Sequence, residues 1–308
     1  MIVSASRRTD VPALYLPWLV RRLQEGYCLV RNPHNPHRIS RVDLRPEAVD
    51  GMVLWTKNPL PLLDLPPELL RIPFYLFCTI TPYGRDLEPG LPPKREIVEA
   101  FRLLSAKLGP VRLVWRYDPI LFSPAHSLEW HVARFADLAA SLHGTTDTCV
   151  LSFLDSYRCT ARAERALSLR RPDEGEISAL LRAISPLAQA HGISLQACAE
   201  AMDATSLGVA PGHCIDPARL QRITGKPLRV PRDKNQRPAC GCAASVDIGA
   251  YDSCPHGCVY CYANHGRSVA RRVQQHDPAS PLLLGWPDPE VDCVQDLPAH
   301  RRFPADLE

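Results

Sequence analysis

The stretch from Phe74 to Arg116, FYLFCTITPYGRDLEPGLPPKREIVEAFRLLSAKLGPVRLVWR, holds one whole unit of the chain's organisation. It opens on an apolar run, Phe74–Ile80, without the polar alternation of a half-exposed strand, which is the pattern of a strand buried on both faces. A loop rich in proline and glycine follows. From Arg95 to Leu108 the period changes, and Ile97, Phe101, Leu104 and Leu108 recur at helical spacing. Gly109 marks the helix stop, and Arg112–Arg116 begins the next apolar run. Strand, helix and strand in this order predict parallel pairing through a crossover helix.

The same unit recurs on both sides. Ile2–Ser6 and Gly51–Trp55 precede it, and Cys149–Phe153 and Ile193–Ala197 follow it. Amphipathic stretches lie between the runs, at Ala13–Gln24, Leu128–Leu142 and Glu176–His191, with Gly144 and Gly192 as stops. The expectation is an α/β fold: a six-unit parallel (β/α) barrel or partial barrel over residues 1–200. An open doubly wound sheet fits the same pattern. Cys28–Leu44, with its NPHNPH stretch, reads as an inserted ribbon. Beyond Glu200 the pattern breaks. Only Pro217–Thr224 reads as helix, in a cysteine-rich segment (201–270) expected to be held by bound metal as much as by packing. Residues 271–308, with six prolines from Pro278 to Pro304, read as an extended surface tail.

Composition narrows the classes of function. At 308 residues, 45% apolar and 22% charged, the chain is that of a folded globular protein rather than a disordered one. A net charge of +3 is too small to argue for nucleic acid by itself. No apolar run approaches the roughly 20 residues that span a bilayer, and the charges of MIVSASRRTD follow its apolar stretch, the reverse of a secretory signal. A cytoplasmic protein is expected. In a reducing compartment twelve cysteines point to metal binding or catalysis rather than disulfides. Cys28, Cys78, Cys149 and Cys159 are scattered and read as small buried hydrophobes. Cys198, Cys214, Cys240, Cys242, Cys254, Cys258 and Cys261 crowd into one region, with Cys293 trailing.

Polar residues follow each strand run: Arg7, Arg8 and Asp10; Lys57; Arg116 and Asp118; Asp155; Cys198 and Glu200. In parallel α/β folds these positions converge on one mouth at the carboxyl ends of the strands. There the guanidiniums of Arg7 and Arg8 suit a carboxylate or phosphate. Asp118, Asp155 and Glu200 suit ribose or substrate contacts, or proton transfer. Helix caps and surface ion pairs are the plainer roles for any one of them.

The sharpest motif is Cys254-Pro-His-Gly-Cys258-Val-Tyr-Cys261, a CxxxCxxC spacing. Three thiolates in one loop can wrap one face of a cluster and leave one metal corner free of protein, whereas structural zinc takes four closed ligands. Soft thiolates in this number suit iron–sulfur clusters. With Tyr260 immediately before the third cysteine, the motif resembles that of the radical S-adenosylmethionine enzymes. The resemblance implies a 4Fe–4S cluster on Cys254, Cys258 and Cys261, with S-adenosylmethionine on its unique iron and Tyr260 near the adenine. His256 and Gly257 would fit the tight loop, and a reductant such as flavodoxin or ferredoxin would supply electrons for hydrogen abstraction from an unknown substrate. In that superfamily the loop usually follows the first strand, so here the C-terminal segment is expected to fold back to the mouth.

A closer likeness runs through SASRRTD, LVRNPHNPH, LWTKNP, WRYDPI, CAE, HCID, RDKNQRPACGC and DIGAYDSCPHGCVYCYAN. In these the chain is similar to DUF1848, an uncharacterised bacterial family described as cluster-containing and radical-SAM-like. Cys198, Cys214, Cys240 and Cys242 form a candidate second site, for another 4Fe–4S cluster or for zinc, with ordinary thiols as the plain alternative. Two further readings stand beside the enzyme. One is a non-catalytic zinc or iron–sulfur protein. The other is a nucleic-acid repair enzyme analogous to photoproduct lyases, using Arg7, Arg8, Arg21, Arg22, Arg31, Arg38, Arg41 and Arg45 on phosphates.

Overall fold

The computed structural model describes residues 1–200, 202–265 and 269–297. Along the chain the strands are β1 (Ile2–Ala5), β2 (Tyr27–Arg31), β3 (Arg38–Asp43), β4 (Gly51–Thr56), β5 (Phe74–Thr79) and β6 (Leu113–Ile120). They continue as β7 (Thr148–Phe153), β8 (Ser194–Cys198), β9 (Val209–Gly212), β10 (Val246–Asp247) and β11 (Cys293–Asp296). Eight of these make one sheet in the order β10-β1-β4-β5-β6-β7-β8-β9, and every pair is parallel.

From β1 to β9 the sheet order follows the chain order, apart from the inserted β2–β3 hairpin. Every crossover therefore steps the same way, and the right-handed rule puts the helices on one face. There Ile97 and Phe101 of the helix Lys94–Leu108, Phe135 of Leu128–Ser141 and Ile184 of Glu174–Ala190 join Met52, Leu54, Leu76, Trp115 and Leu151 in one core. The alternate strand residues Ile2, Val53, Trp55, Tyr75, Phe77, Val114 and Val150 face the other way. They meet Cys214, Ile215, Leu220, Cys240, Cys242 and Ala243. The second face is thus covered by residues 214–243, which excludes the doubly wound alternative with its two helical layers.

Two expectations need correcting. The six expected strands do lie side by side, but of the two forms expected, barrel or partial barrel, the closed one is absent among the described residues: the edge strands β9 and β10 are not paired with each other. Both edges come from beyond residue 200, so the sheet does not stop at that boundary. These strands escape a periodicity reading because β10 has two residues and β9 is Val-Ala-Pro-Gly. The second correction is the tail. Trp18 Nε1 donates to the Ser280 carbonyl at 3.0 Å, Leu282 and Leu283 are buried, and β11 pairs with β3. The apolar triplet Leu282–Leu284, isolated between prolines, is too short to show a period. Pro298 and Pro304 lie outside the described residues. Cys28–Leu44 does form a ribbon, the antiparallel β2–β3 pair.

The expected helix Ala13–Gln24 is two helices, Val11–Leu14 and Leu16–Glu25, that meet at Tyr15. Pro17, in the first turn of the second, suits a fresh helix start. Asp10 caps the first, its side chain accepting from Ala13 N at 3.0 Å.

Candidate metal centres at the strand ends

The CxxxCxxC loop is docked against the carboxyl ends of β1, β4 and β5 by a buried polar network. Asp10, after β1, accepts from the Lys57 backbone N–H at 2.7 Å and from His256 Nε2 at 3.0 Å. A carboxylate can only accept, so Nε2 carries the proton. Lys57, after β4, donates to Glu88 Oε1 at 2.8 Å and to the Tyr260 hydroxyl at 3.0 Å. Glu88 also takes Thr81 Oγ1 at 2.8 Å, Lys94 and the Tyr260 hydroxyl. Burial opposes ionisation of Glu88, but the two ammonium groups outweigh it and bring its carboxyl down to about 2. Gly90 N donates to the His256 carbonyl at 2.9 Å, and a Cβ on Gly90 would stand 2.6 Å from that oxygen. Only glycine allows this close approach.

Tyr260 is therefore inside the protein, edge-on to Tyr83 with centroids 6.0 Å apart, and its hydroxyl is committed to Glu88 and Lys57. Gly257 takes φ +70°, which glycine adopts without cost. Burial pushes the Cys254, Cys258 and Cys261 thiols up, Cys258 to about 12 despite the opposing charge of Lys57. The three feel one another electrostatically. Three soft thiols on one loop are a donor set of the chemistry that iron–sulfur clusters take. Cys159 is exposed rather than buried, with its sulfur 3.9 Å from the Cys261 carbonyl.

The second group is tight. Cys198 at the end of β8, Cys214 after β9 and Cys242 place their sulfurs within 4.8 Å of one another, Cys198 and Cys214 at 2.9 Å. Hydrogen bonds from Cys214 and Cys242 bring the Cys198 thiol down to about 4 against burial, with Arg116 adding its charge. Cys242 falls to about 7; Cys198 opposes the shift, and hydrogen bonds from Cys214 and Cys240 drive it. Cys240 is buried against Cys242. Between these two, a Cβ on Gly241 would stand 2.3 Å from the His213 ring.

The strand-end residues divide. Arg116 pairs with Asp118 at 2.6 Å and lies over the Trp55 ring at 5.6 Å. Arg7 lies 3.9 Å from Asp247, and its carbonyl accepts from the Tyr262 hydroxyl at 2.6 Å. Both guanidiniums stand near Cys214 and Tyr262. Burial raises the Asp118 carboxyl, and Arg116 and Lys57 counter it. Arg8 turns away over Tyr251 at 5.2 Å. Asp155 and Glu200 share Arg171, and Arg237 also holds Asp155. Glu88, Lys94, Asp247 and Tyr262 were not legible as site residues. Asp247 takes Ser4 Oγ at 2.9 Å and Arg7 N at 2.8 Å, and its only sequence signal is its place just before the cysteine loop. Most of the N-terminal arginines are occupied: Arg21 and Arg22 by Glu25, Arg31 by Asp292, Arg45 by Asp43 and Arg41 over Tyr27.

A singly wound parallel sheet carrying two cysteine groups at its carboxyl ends defines an α/β protein with a candidate metal-binding site. Among the described residues no helix is long and apolar enough to cross a membrane. The chain belongs to the family described as "Domain of unknown function (DUF1848)", whose model matches residues 2–263. No curated protein matches it. Among solved structures it is similar to a "putative alpha-L-fucosidase" from Bacteroides thetaiotaomicron, at 12% identity and a TM-score of 0.30. That likeness covers 58% of this chain and 82% of the other.

Proposed function

We propose that the chain is a radical S-adenosylmethionine enzyme whose Cys254, Cys258 and Cys261 thiolates hold a 4Fe–4S cluster. The observation that carries this reading is the docking of a three-thiol loop, by Asp10, Lys57 and Glu88, at the strand ends where parallel α/β proteins place their sites. The bound cluster would supply the electron that cleaves S-adenosylmethionine to a radical able to abstract hydrogen from substrate. The protein's own part is electrostatic and positional. Lys57 sets an ammonium beside Cys258 and Cys261, which offsets the charge of their thiolates. Tyr260, held by Glu88, keeps the third cysteine's turn in place. Arg116, Asp118 and Arg7 line the neighbouring mouth and suit an amino-acid or ribose moiety. The singly wound order from β1 to β8 supports a partial (β/α)6 barrel with two added edges. A flavodoxin or ferredoxin would be the reductant, in a reducing cytoplasm.

The test is anaerobic reconstitution with iron and sulfide, reduction with dithionite and assay for 5′-deoxyadenosine from S-adenosylmethionine. Release by the native chain and none by Cys258→Ala is the expected result. Full iron content and cleavage by Cys258→Ala would overturn the reading, and an iron-loaded native chain that releases no 5′-deoxyadenosine would favour a non-catalytic metal protein. The repair-enzyme reading has little to draw on, since most of the arginines it needs are already paired.

A further inference from the structure

We propose that Cys198, Cys214, Cys240 and Cys242 bind one zinc ion, a site separate from the CxxxCxxC loop and independent of the reading above. Spacing is the first argument. A tetrahedral ion with zinc–sulfur bonds of about 2.3 Å sets its sulfurs roughly 3.8 Å apart. Cys198, Cys214 and Cys242 already lie within 4.8 Å of one another, whereas a cubane would spread them over separate irons. Cys240 stands outside that group of three but hydrogen-bonds Cys242, which makes it the candidate fourth ligand, and Gly241 gives the Cys-Gly-Cys turn room beside His213.

Charge is the second argument. Four thiolates around a divalent ion leave two negative charges in a buried place, where they are costly unless offset. Arg7 and Arg116 bring two guanidiniums near these same sulfurs, and since each also faces a carboxylate, Asp247 and Asp118, the offset is partial. Binding is an exchange without redox change: the ion forms four bonds to sulfur and the remaining thiol protons leave to solvent.

Position is the third. The ligands come from the end of β8, the turn after β9 and the segment that covers the sheet's second face. One ion would staple all three. Zinc is favoured over iron because a closed four-thiolate shell has no open position and needs no redox activity.

The full chain, purified anaerobically, is to be assayed for zinc and iron by plasma mass spectrometry. About one zinc per chain is expected, retained when Cys254, Cys258 and Cys261 are all replaced by alanine and lost in Cys214→Ser. Should Cys214→Ser fail to fold, the native chain stripped by chelation and reloaded with cobalt(II) decides, through the ligand-field spectrum of a four-thiolate site. About eight irons per chain without zinc, zinc lost with the loop cysteines but kept in Cys214→Ser, or a cobalt spectrum lacking thiolate charge transfer would each overturn the proposal.

Discussion

Asp10 and His256 lie 246 residues apart in the chain and share a 3.0 Å hydrogen bond. The same carboxylate caps the helix Val11–Leu14 and binds the Lys57 backbone, so one side chain joins β1, β4 and the cysteine loop. Asp10→Ala strips three donors of their acceptor. A loss of about 3 kcal/mol is expected from the cap and the unsatisfied groups. Iron retained after reconstitution should fall several-fold, measured beside thermal unfolding. Unchanged iron retention would detach Asp10 from the loop's placement.

Glu88 gives a pH dependence. Its folded carboxyl, near 2, lies below the ordinary value of 4.5, so the folded state binds fewer protons than the unfolded one. Its contribution is complete above about pH 4.5 and is lost as pH falls through 2. The shift corresponds to roughly 3 kcal/mol. Glu88→Gln should therefore be destabilised at neutral pH and show a flatter acid limb in denaturant unfolding. Parallel acid limbs for the two proteins would contradict this.

Gly241→Ala places a methyl group 2.3 Å from the His213 ring. Overpacking of this kind costs about 1–3 kcal/mol where the ring holds its place, and less where the exposed His213 side chain rotates aside. Weaker metal retention at the four-cysteine group is expected. Gly241→Ala combined with His213→Ala should recover it, since the second change removes the clashing ring. Failure of that rescue would locate the strain elsewhere.

Cys258→Ala should abolish the brown chromophore of the CxxxCxxC loop while the sheet stays folded. The central strands draw their packing from Leu54, Leu76, Trp115 and Leu151, none of which touches the loop's chemistry. Far-ultraviolet circular dichroism should match the native chain. A collapse of the spectrum would show that the sheet depends on this loop.

The parallel sheet was legible because its central strands are continuous apolar runs and its helices, such as Lys94–Leu108, carry a clear 3.6 period and glycine stops. The edge strands were not, since β9 and β10 are too short to carry a pattern. The cysteines stood out through spacing alone. Their partners did not: Glu88 and Lys94 sit in a loop and a first helical turn like many surface residues, and only tertiary folding brings them to Lys57 and Tyr260. The sequence pattern also could not separate Arg7 from Arg8, of which only Arg7 meets Asp247.

The cover over the sheet's second face has a consequence for the order in which the protein is made. Trp55, Tyr75, Phe77 and Val114 are translated long before Ile215, Leu220 and Ala243, which shield them. A ribosome that has finished β8 holds a nascent chain with one aromatic face still open to water, a surface that attracts chaperones and other unfinished chains. Maturation of that face waits for residues 214–243 to emerge, and a chain stopped at residue 200 should aggregate on release.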